Sequence, residues 1–314
     1  MIIPDRVESD LLNDLHTEPI VVVCSADNNY AMPLAITIRS VLENLAPDRR
    51  MLLFIIDVGI ESSNRNRILK SIKSDRCEIN WIPKPTVFSN VADLNQHGFQ
   101  NLSIATWYRL VIPELLSAEL TKAIYLDCDL VIKTDLGKLW DVDIADNYLL
   151  AVTGKYVPCV AHPRGLLNWQ ELGFAQTDKY FGAGVLVFNL EKWRSANMCK
   201  TAVEYAANNQ QYIRWHDNDV LVAILRNQWG ELDPRWNCPE PRTLTSSEIE
   251  NAFILHFTSA AKPWIAIEKY PATELFFHYL EMTNWAGYKH TVPQRLWRRL
   301  KREIDKIRKQ LFSK

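Results

Sequence analysis

The sequence predicts an α/β fold in which a mainly parallel sheet is covered by helices on both faces. Two observations carry this: apolar, β-branched runs recur along the 314 residues, and helix-like stretches separate most of them. With 47% hydrophobic residues the chain can bury a sizeable core as one large domain.

The strand-like runs are "IVVVCSA" from Ile20, "MLLFIIDV" from Met51, "EINWIP" from Glu78, "AIYLD" from Ala123, "YLLAVTG" from Tyr148, "GVLVFNL" from Gly184 and "FILHFT" from Phe253. Between them, "MPLAITIRSVLENL", "ESSNRNRILKSIKS", "SIATWYRLVIPELL", "EKWRSANMCKTAVEYAANN" and "HDNDVLVAILRNQ" read as helices. The stretch from Lys155 to Tyr180 has weak periodicity. It reads as an irregular excursion near a ligand crevice or as a structural loop with a short helix. In such sheets ligands bind beyond the carboxyl ends of the strands.

Composition excludes several classes. The opening residues lack a basic start followed by a long apolar stretch, and no apolar run is long enough to span a bilayer, so a cytosolic location is expected. Cys24, Cys77, Cys128, Cys159, Cys199 and Cys238 form no CxxC pair and read as reduced core thiols. The net charge is -1, yet the last twenty residues hold nine basic against two acidic side chains, a local +7 that leaves about -8 for the rest. Basic character confined to one end argues against a nucleic-acid-binding core.

The chemistry gathers at strand ends. Asp127 and Asp129 follow a buried strand, and residues two apart in extended backbone point the same way. Two close carboxylates repel unless a cation sits between them, and a hard divalent ion carrying substrate phosphates is the usual solution. The alternative is a capped strand end, because Asp-x-Asp recurs at Asp141/Asp143 and Asp217/Asp219. The first strand leads into "ADNNYAMPLA" with no glycine where a phosphate-cradling loop needs several. Asp27, Asn28, Asn29 and Tyr30 instead suit a base and a ribose, or Asp27 or Asn28 caps the following helix. A metal and basic side chains must then neutralise a diphosphate, with Lys262 and Arg109 as candidates. His256, alone in an apolar strand, reads as a core residue, or as a ligand if a metal is nearby.

The ordered set "ADNNYAMPLAITIRSVL", "LSIATWYRL", "IYLDCDLVI", "LGKLWDVDI", "YFGAGVLVFNLEKWR", "HDNDVL" and "LHFTSAAKPW" resembles glycosyltransferase family 8, from about Pro19 to Trp264. The resemblance implies a retaining hexosyltransferase of the GT-A type, moving glucose or galactose from a UDP-sugar with Mn²⁺ or Mg²⁺ to a glycan, glycolipid or glycoprotein. It implies that Asp27, Asn29 and Tyr30, with the backbone of Ser25 and Ala26 and with Cys128, hold uridine. Asp127, Asp129 and His256 would bind the metal, and Lys262 would contact the diphosphate. Arg109 would lie near donor sugar and phosphates. Ala183, Gly184, Asp217 and Asn218 would line the sugar pocket, with Asp219 beside the reacting carbon. The sequence departs from the family pattern at Gly182, where an Asn is usual, and at Gly154, where an Asp often stands.

Two rival readings remain at this point. A haloacid-dehalogenase-type phosphatase also places Asp-x-Asp after an apolar strand, but on its first strand and with a later acidic motif that is missing here. A non-catalytic nucleotide-sugar-binding protein would keep the fold without turnover. The expected organisation is an extension over 1–18, a catalytic domain over 19–288 and a basic tail over 289–314. In the tail, Leu296, Leu300, Ile304, Ile307 and Leu311 form one helical stripe amid basic residues, which suits an amphipathic helix on an anionic membrane or one packed on a protein surface.

Overall fold

The structure, a computed structural model, describes residues 18–87, 103–259, 262–265 and 270–289. The amino-terminal extension up to residue 17 and the basic stripe of the tail lie outside the described residues. The strands are β1 (Ile20–Ala26), β2 (Met51–Asp57), β3 (Cys77–Pro83), β4 (Lys122–Leu126), β5 (Leu130–Ile132), β6 (Leu149–Thr153), β7 (Phe181–Asn189), β8 (Trp229–Glu231), β9 (Cys238–Pro239) and β10 (Ile254–His256). Seven of them form one sheet in the order β3-β2-β1-β4-β7-β6-β8. Its pairings are parallel except β4–β7 and β6–β7, so the expected mainly parallel sheet is present.

The departures have physical reasons. "FILHFT" does not join the main sheet: β10 pairs antiparallel with β5 and parallel with β9 in a separate three-stranded sheet. "SIATWYRLV" is apolar at helical spacing, yet Ile104–Val111 winds as a 3-10 helix and only Ile112–Leu115 is α. The excursion between Lys155 and Tyr180 contains no named helix or strand.

Helix α1 (Ala31–Asn44) is buried along most of its length and packs with α2 (Ser62–Ser71) and with the helix Pro271–Glu281. The helices Leu190–Ser195, Met198–Asn208 and Asp217–Leu225 pack as a second group with the 104–115 segment. The six cysteines are all unpaired. No helix among the described residues is long and apolar enough to cross a membrane.

Strand direction determines where a ligand can sit. β1 and β4 run parallel and end at Ala26 and Leu126, while β7, antiparallel to β4, begins beside that end. The Asp127 N–H continues the ladder by donating to the Gly184 carbonyl at 2.9 Å. The β6–β7 register jumps from Ala151↔Leu186 to Val152↔Gly182, so Ala183, Gly184 and Val185 fall between paired positions. Backbone at the head of β7 is thereby left to face the rim.

The turn carrying Asp127 and Asp129 is held from below by α1. Residues of β5 whose N–H groups face away from β10 need other acceptors. Thr37 Oγ1 accepts the Leu130 N–H at 3.1 Å and lies 2.9 Å from the carbonyls of Cys128 and Leu130. Ser40 Oγ, one turn on, accepts the Ile132 N–H at 2.9 Å. Thr37 is fully buried, so Thr37→Val strands the Leu130 amide and should cost about 1–3 kcal/mol in urea unfolding. A loss below about 0.5 kcal/mol would mean that the hydroxyl does not anchor the turn.

Candidate active site

A cavity of about 370 Å³ opens at the carboxyl ends of β1, β4 and β6 and the start of β7. Its wall brings together Ser25, Ala26, Asp27, Tyr30, Arg109, Asp127, Cys128, Asp129, Ala183, Gly184, Asp217, Asn218, His256 and Lys262. Motifs spread over most of the chain therefore converge on one place.

Asp127 and Asp129 lie in the turn between β4 and β5, not within a strand. His256 reaches them because β10 runs antiparallel to β5, pairing His256 with Leu130. Its Nε2 lies 3.5 Å from Asp127 Oδ2 and 3.3 Å from Asp129 Oδ1. The three candidate ligand atoms all fall within 4.8 Å of one another. Two carboxylate oxygens and an imidazole nitrogen suit Mn²⁺ or Mg²⁺ with open positions left for phosphate oxygens. Gly184 makes room for the cluster: a Cβ there would stand 2.2 Å from His256 Cε1 and 3.1 Å from Asp127 Oδ2. The residues thus fit a divalent ion, and His256 faces two acids where the core reading had it packed among apolar side chains.

Cations offset the acids. Lys262 Nζ donates to Asp129 Oδ2 at 2.5 Å and to the Phe257 carbonyl. Burial alone would raise the Asp129 carboxyl, but Lys262 and then His256 hold it well below the usual carboxylate range. Arg109, 3% exposed, donates through Nη2 to Asp127 Oδ1 at 2.9 Å and through Nη1 to the Ala183 carbonyl at 2.5 Å. Its Nε lies 2.8 Å from Asp217 Oδ2, and the guanidinium stacks 4.5 Å from the Tyr125 ring centre. The Tyr125 hydroxyl also donates to Asp127 Oδ1 at 2.8 Å. One guanidinium serves two acids, and burial dominates at Asp217, whose carboxyl is pushed up to about 6.

At the other end, Asn218 clips the head of β7. Its Oδ1 accepts the Ala183 N–H at 2.7 Å and its Nδ2 donates to the Phe181 carbonyl at 2.9 Å. His216, just before this helix, has φ 53° and ψ -131°, a strained backbone for a residue with a side chain. Ser25 Oγ is buried beside the cavity without a hydrogen-bond partner among the described residues, while the Ser25 carbonyl accepts the Cys128 thiol at 3.2 Å. The Asp27 carboxylate accepts the Asn29 and Tyr30 N–H groups, so the helix-capping reading holds alongside a place on the cavity wall.

Two expected site residues are not on the cavity wall. Asp219 does not line the cavity: its carboxylate accepts the Tyr180 hydroxyl at 2.7 Å and the Arg214 and Trp215 N–H groups at 2.7 and 2.8 Å. These bonds brace the loop before the helix. Asn29, in the 3-10 turn that seats Tyr30, is exposed and does not line the cavity. The other Asp-x-Asp pair, Asp141 and Asp143, pairs with Arg49 and caps the Ala145 N–H.

Sequence reasoning missed Tyr125, Asn237, Lys155, Tyr156, Arg164 and Trp215, which also line the cavity. Tyr125 was within reach, two residues before Asp127 on the same strand side. The rest come from irregular segments with no motif. At Gly154 a Cβ would lie 2.6 Å from the Val157 carbonyl, so the excursion's own backbone fills the space an acid would take.

Gly184→Ala should displace the His256 ring and weaken Mn²⁺ binding by about tenfold or more in titration calorimetry; an unchanged affinity would show that the bare position is not needed. For Asp217 the folded carboxyl titrates near 6, above the ordinary 3.8. Folding therefore favours the protonated acid, a contribution complete below 3.8 and lost as pH rises through about 6. The melting temperature of the metal-free protein should fall relative to Asp217→Asn across that window. Parallel melting curves for the two proteins would contradict the assignment.

Residues 21–268 match the family described as "Glycosyl transferase family 8". General stress protein A of Bacillus subtilis (strain 168) is 32% identical over 282 residues, covering 84% of this chain and 94% of that protein. The lipopolysaccharide 1,3-galactosyltransferase of Salmonella typhimurium is 25% identical, over 60% of this chain and 57% of its own length, so the chain spans little more than half of that relative. The crystal structure of the galactosyltransferase LgtC with donor and acceptor sugar analogues matches with a TM-score of 0.70 at 25% identity, over 88% of this chain and 99% of that one. On a family match that runs through most of its length and on this shared architecture, the chain belongs to glycosyltransferase family 8.

Proposed function

We propose that the protein is a metal-dependent, retaining hexosyltransferase that moves glucose or galactose from a UDP-sugar to a hydroxyl of a glycan or glycolipid. One observation carries this reading: Asp127, Asp129 and His256 converge in a cavity whose wall also holds Ser25, Tyr30, Asp217 and Asn218.

In this reading the β1 end receives uridine through Ser25, Ala26, Asp27, Tyr30 and Cys128. The Ser25 hydroxyl, buried and unpartnered among the described residues, is a polar group that a substrate can satisfy. Asp127, Asp129 and His256 hold Mn²⁺ or Mg²⁺, which when bound offsets the charge that develops on the departing diphosphate. Lys262 contributes a cation to the same diphosphate, and Arg109 bridges the phosphate and sugar ends of the cavity. Ala183 and Gly184 present backbone to the sugar, with no side chain larger than a methyl.

Retention calls for a nucleophilic carboxylate with two displacements, or for attack from the face of departure. With Asp219 committed to bracing a loop, Asp217 and Asn218 are the side chains to test at the sugar end. The excursion bearing Lys155, Tyr156 and Arg164, together with Trp215, supplies a cationic and aromatic wall for the acceptor. The basic tail beyond the described residues would bring the domain to an anionic membrane carrying a lipid-linked acceptor.

The test is UDP release from UDP-glucose and UDP-galactose, with Mn²⁺ or with a chelator. Turnover should require the metal and fall about 10²-fold or more in Asp129→Ala. Turnover that survives both chelation and the substitution would refute the reading, and donor binding without release would identify a non-catalytic binder.

A further inference from the structure

We infer that Asn237 is a positioning residue with two tasks: it sets the tautomer of His256 and offers its remaining amide N–H to a hydroxyl of the transferred sugar. The inference rests on the metal-dependent reading above.

Asn237 follows the 3-10 turn Pro234–Trp236 and immediately precedes β9, whose first residue pairs with Leu255, next to His256. It is 6% exposed, and its Oδ1 lies 2.9 Å from His256 Nδ1. The opposite ring nitrogen, Nε2, faces both acids. A ring nitrogen that ligates a metal carries no proton, so the neutral imidazole must keep its hydrogen on Nδ1 and needs an acceptor there. Asn237 Oδ1 is that acceptor. With the amide reversed, an N–H would meet Nδ1 and push the ring hydrogen onto Nε2, between the carboxylates, where the ring could only donate.

The other end of the amide is also informative. Asn237 Nδ2 makes no hydrogen bond to any described residue. It lies 3.3 Å from the point where a Cβ on Gly182 would stand, and both residues line the cavity beside Ala183 and Gly184. Nearly buried amide donors find partners, and the cavity supplies this one's. The bare Gly182 leaves Nδ2 open to the sugar end, so one planar amide links the metal end of the site to the group being moved.

Two variants separate the tasks. Asn237→Asp keeps an acceptor for Nδ1–H and loses the N–H donor, whereas Asn237→Leu loses both. Ring ¹⁵N shifts of His256 are read in the metal-free protein in alkaline buffer, where the neutral ring is the form compared. The wild type and Asn237→Asp should show the Nδ1–H form and agree in Mn²⁺ affinity within about threefold. Asn237→Leu should mix the tautomers and lose about 10- to 100-fold in Mn²⁺ affinity. Both variants should lose about tenfold in their preference for a UDP-hexose over UDP.

A Leu variant with the wild-type melting temperature, ring pattern and Mn²⁺ affinity would overturn the first task; an Asp variant that keeps the full donor preference would overturn the second. If the Leu variant does not fold, absence of the Nδ1–H form in the wild type or the Asp variant overturns the first task equally. A wild-type protein that shows the Nδ1–H ring but takes up no Mn²⁺ would sink the metal-dependent reading itself, a result the ring measurement keeps distinct.

Discussion

One buried guanidinium holds the site together. Arg109 touches three separate parts of the chain: Asp127 after β4, the Ala183 carbonyl on β7 and Asp217 at the start of a helix. A buried ion pair adds little net stability once desolvation is counted, but removing one partner leaves the other charged and unpaired. Here two acids depend on one cation, so the arrangement is all or nothing. The planar guanidinium fork of Arg109 reaches acceptors in several directions at once, which a lysine could not do. The tight 3-10 winding of Ile104–Val111 and the Tyr125 ring beneath keep that fork in place.

Around this contact, rigidity is divided between the metal end and the sugar end. The metal end is built from side chains on short, well-anchored segments: a turn pinned by two hydroxyls of α1 and a three-residue strand that brings His256 alongside. The sugar end is built from backbone, because the register jump between β6 and β7 exposes Ala183 and Gly184 and the Asn218 amide fixes them. Asp219 and the strained His216 hold the Asn218 helix from behind. The shape of the β7 end of the cavity can therefore change through small residues and loops without disturbing the Asp127, Asp129 and His256 cluster.

The main sheet was legible because its strands are apolar runs bounded by helical periodicity, as in "IVVVCSA" and "GVLVFNL". β10 was read as a strand but not as part of a separate sheet, since pairing partners of two and three residues leave no pattern of their own. Asp127, Asp129 and Arg109 were found through charge logic, and the cavity contains all three. Spacing along a chain says nothing about which acid a loop engages; three donors claim Asp219, which does not line the cavity. Asn237 was invisible for the opposite reason: it lies in a turn between elements, and only the fold sets it beside His256. Gly154 looked like a missing functional group, yet the Val157 carbonyl leaves no volume for one.

Lys262 has a consequence for how the protein is made. Its ammonium sits on Asp129 and on the Phe257 carbonyl, so the cleft carries its own counter-ion from the moment the chain closes. Newly synthesised polypeptide can therefore finish folding without a trace-metal supply.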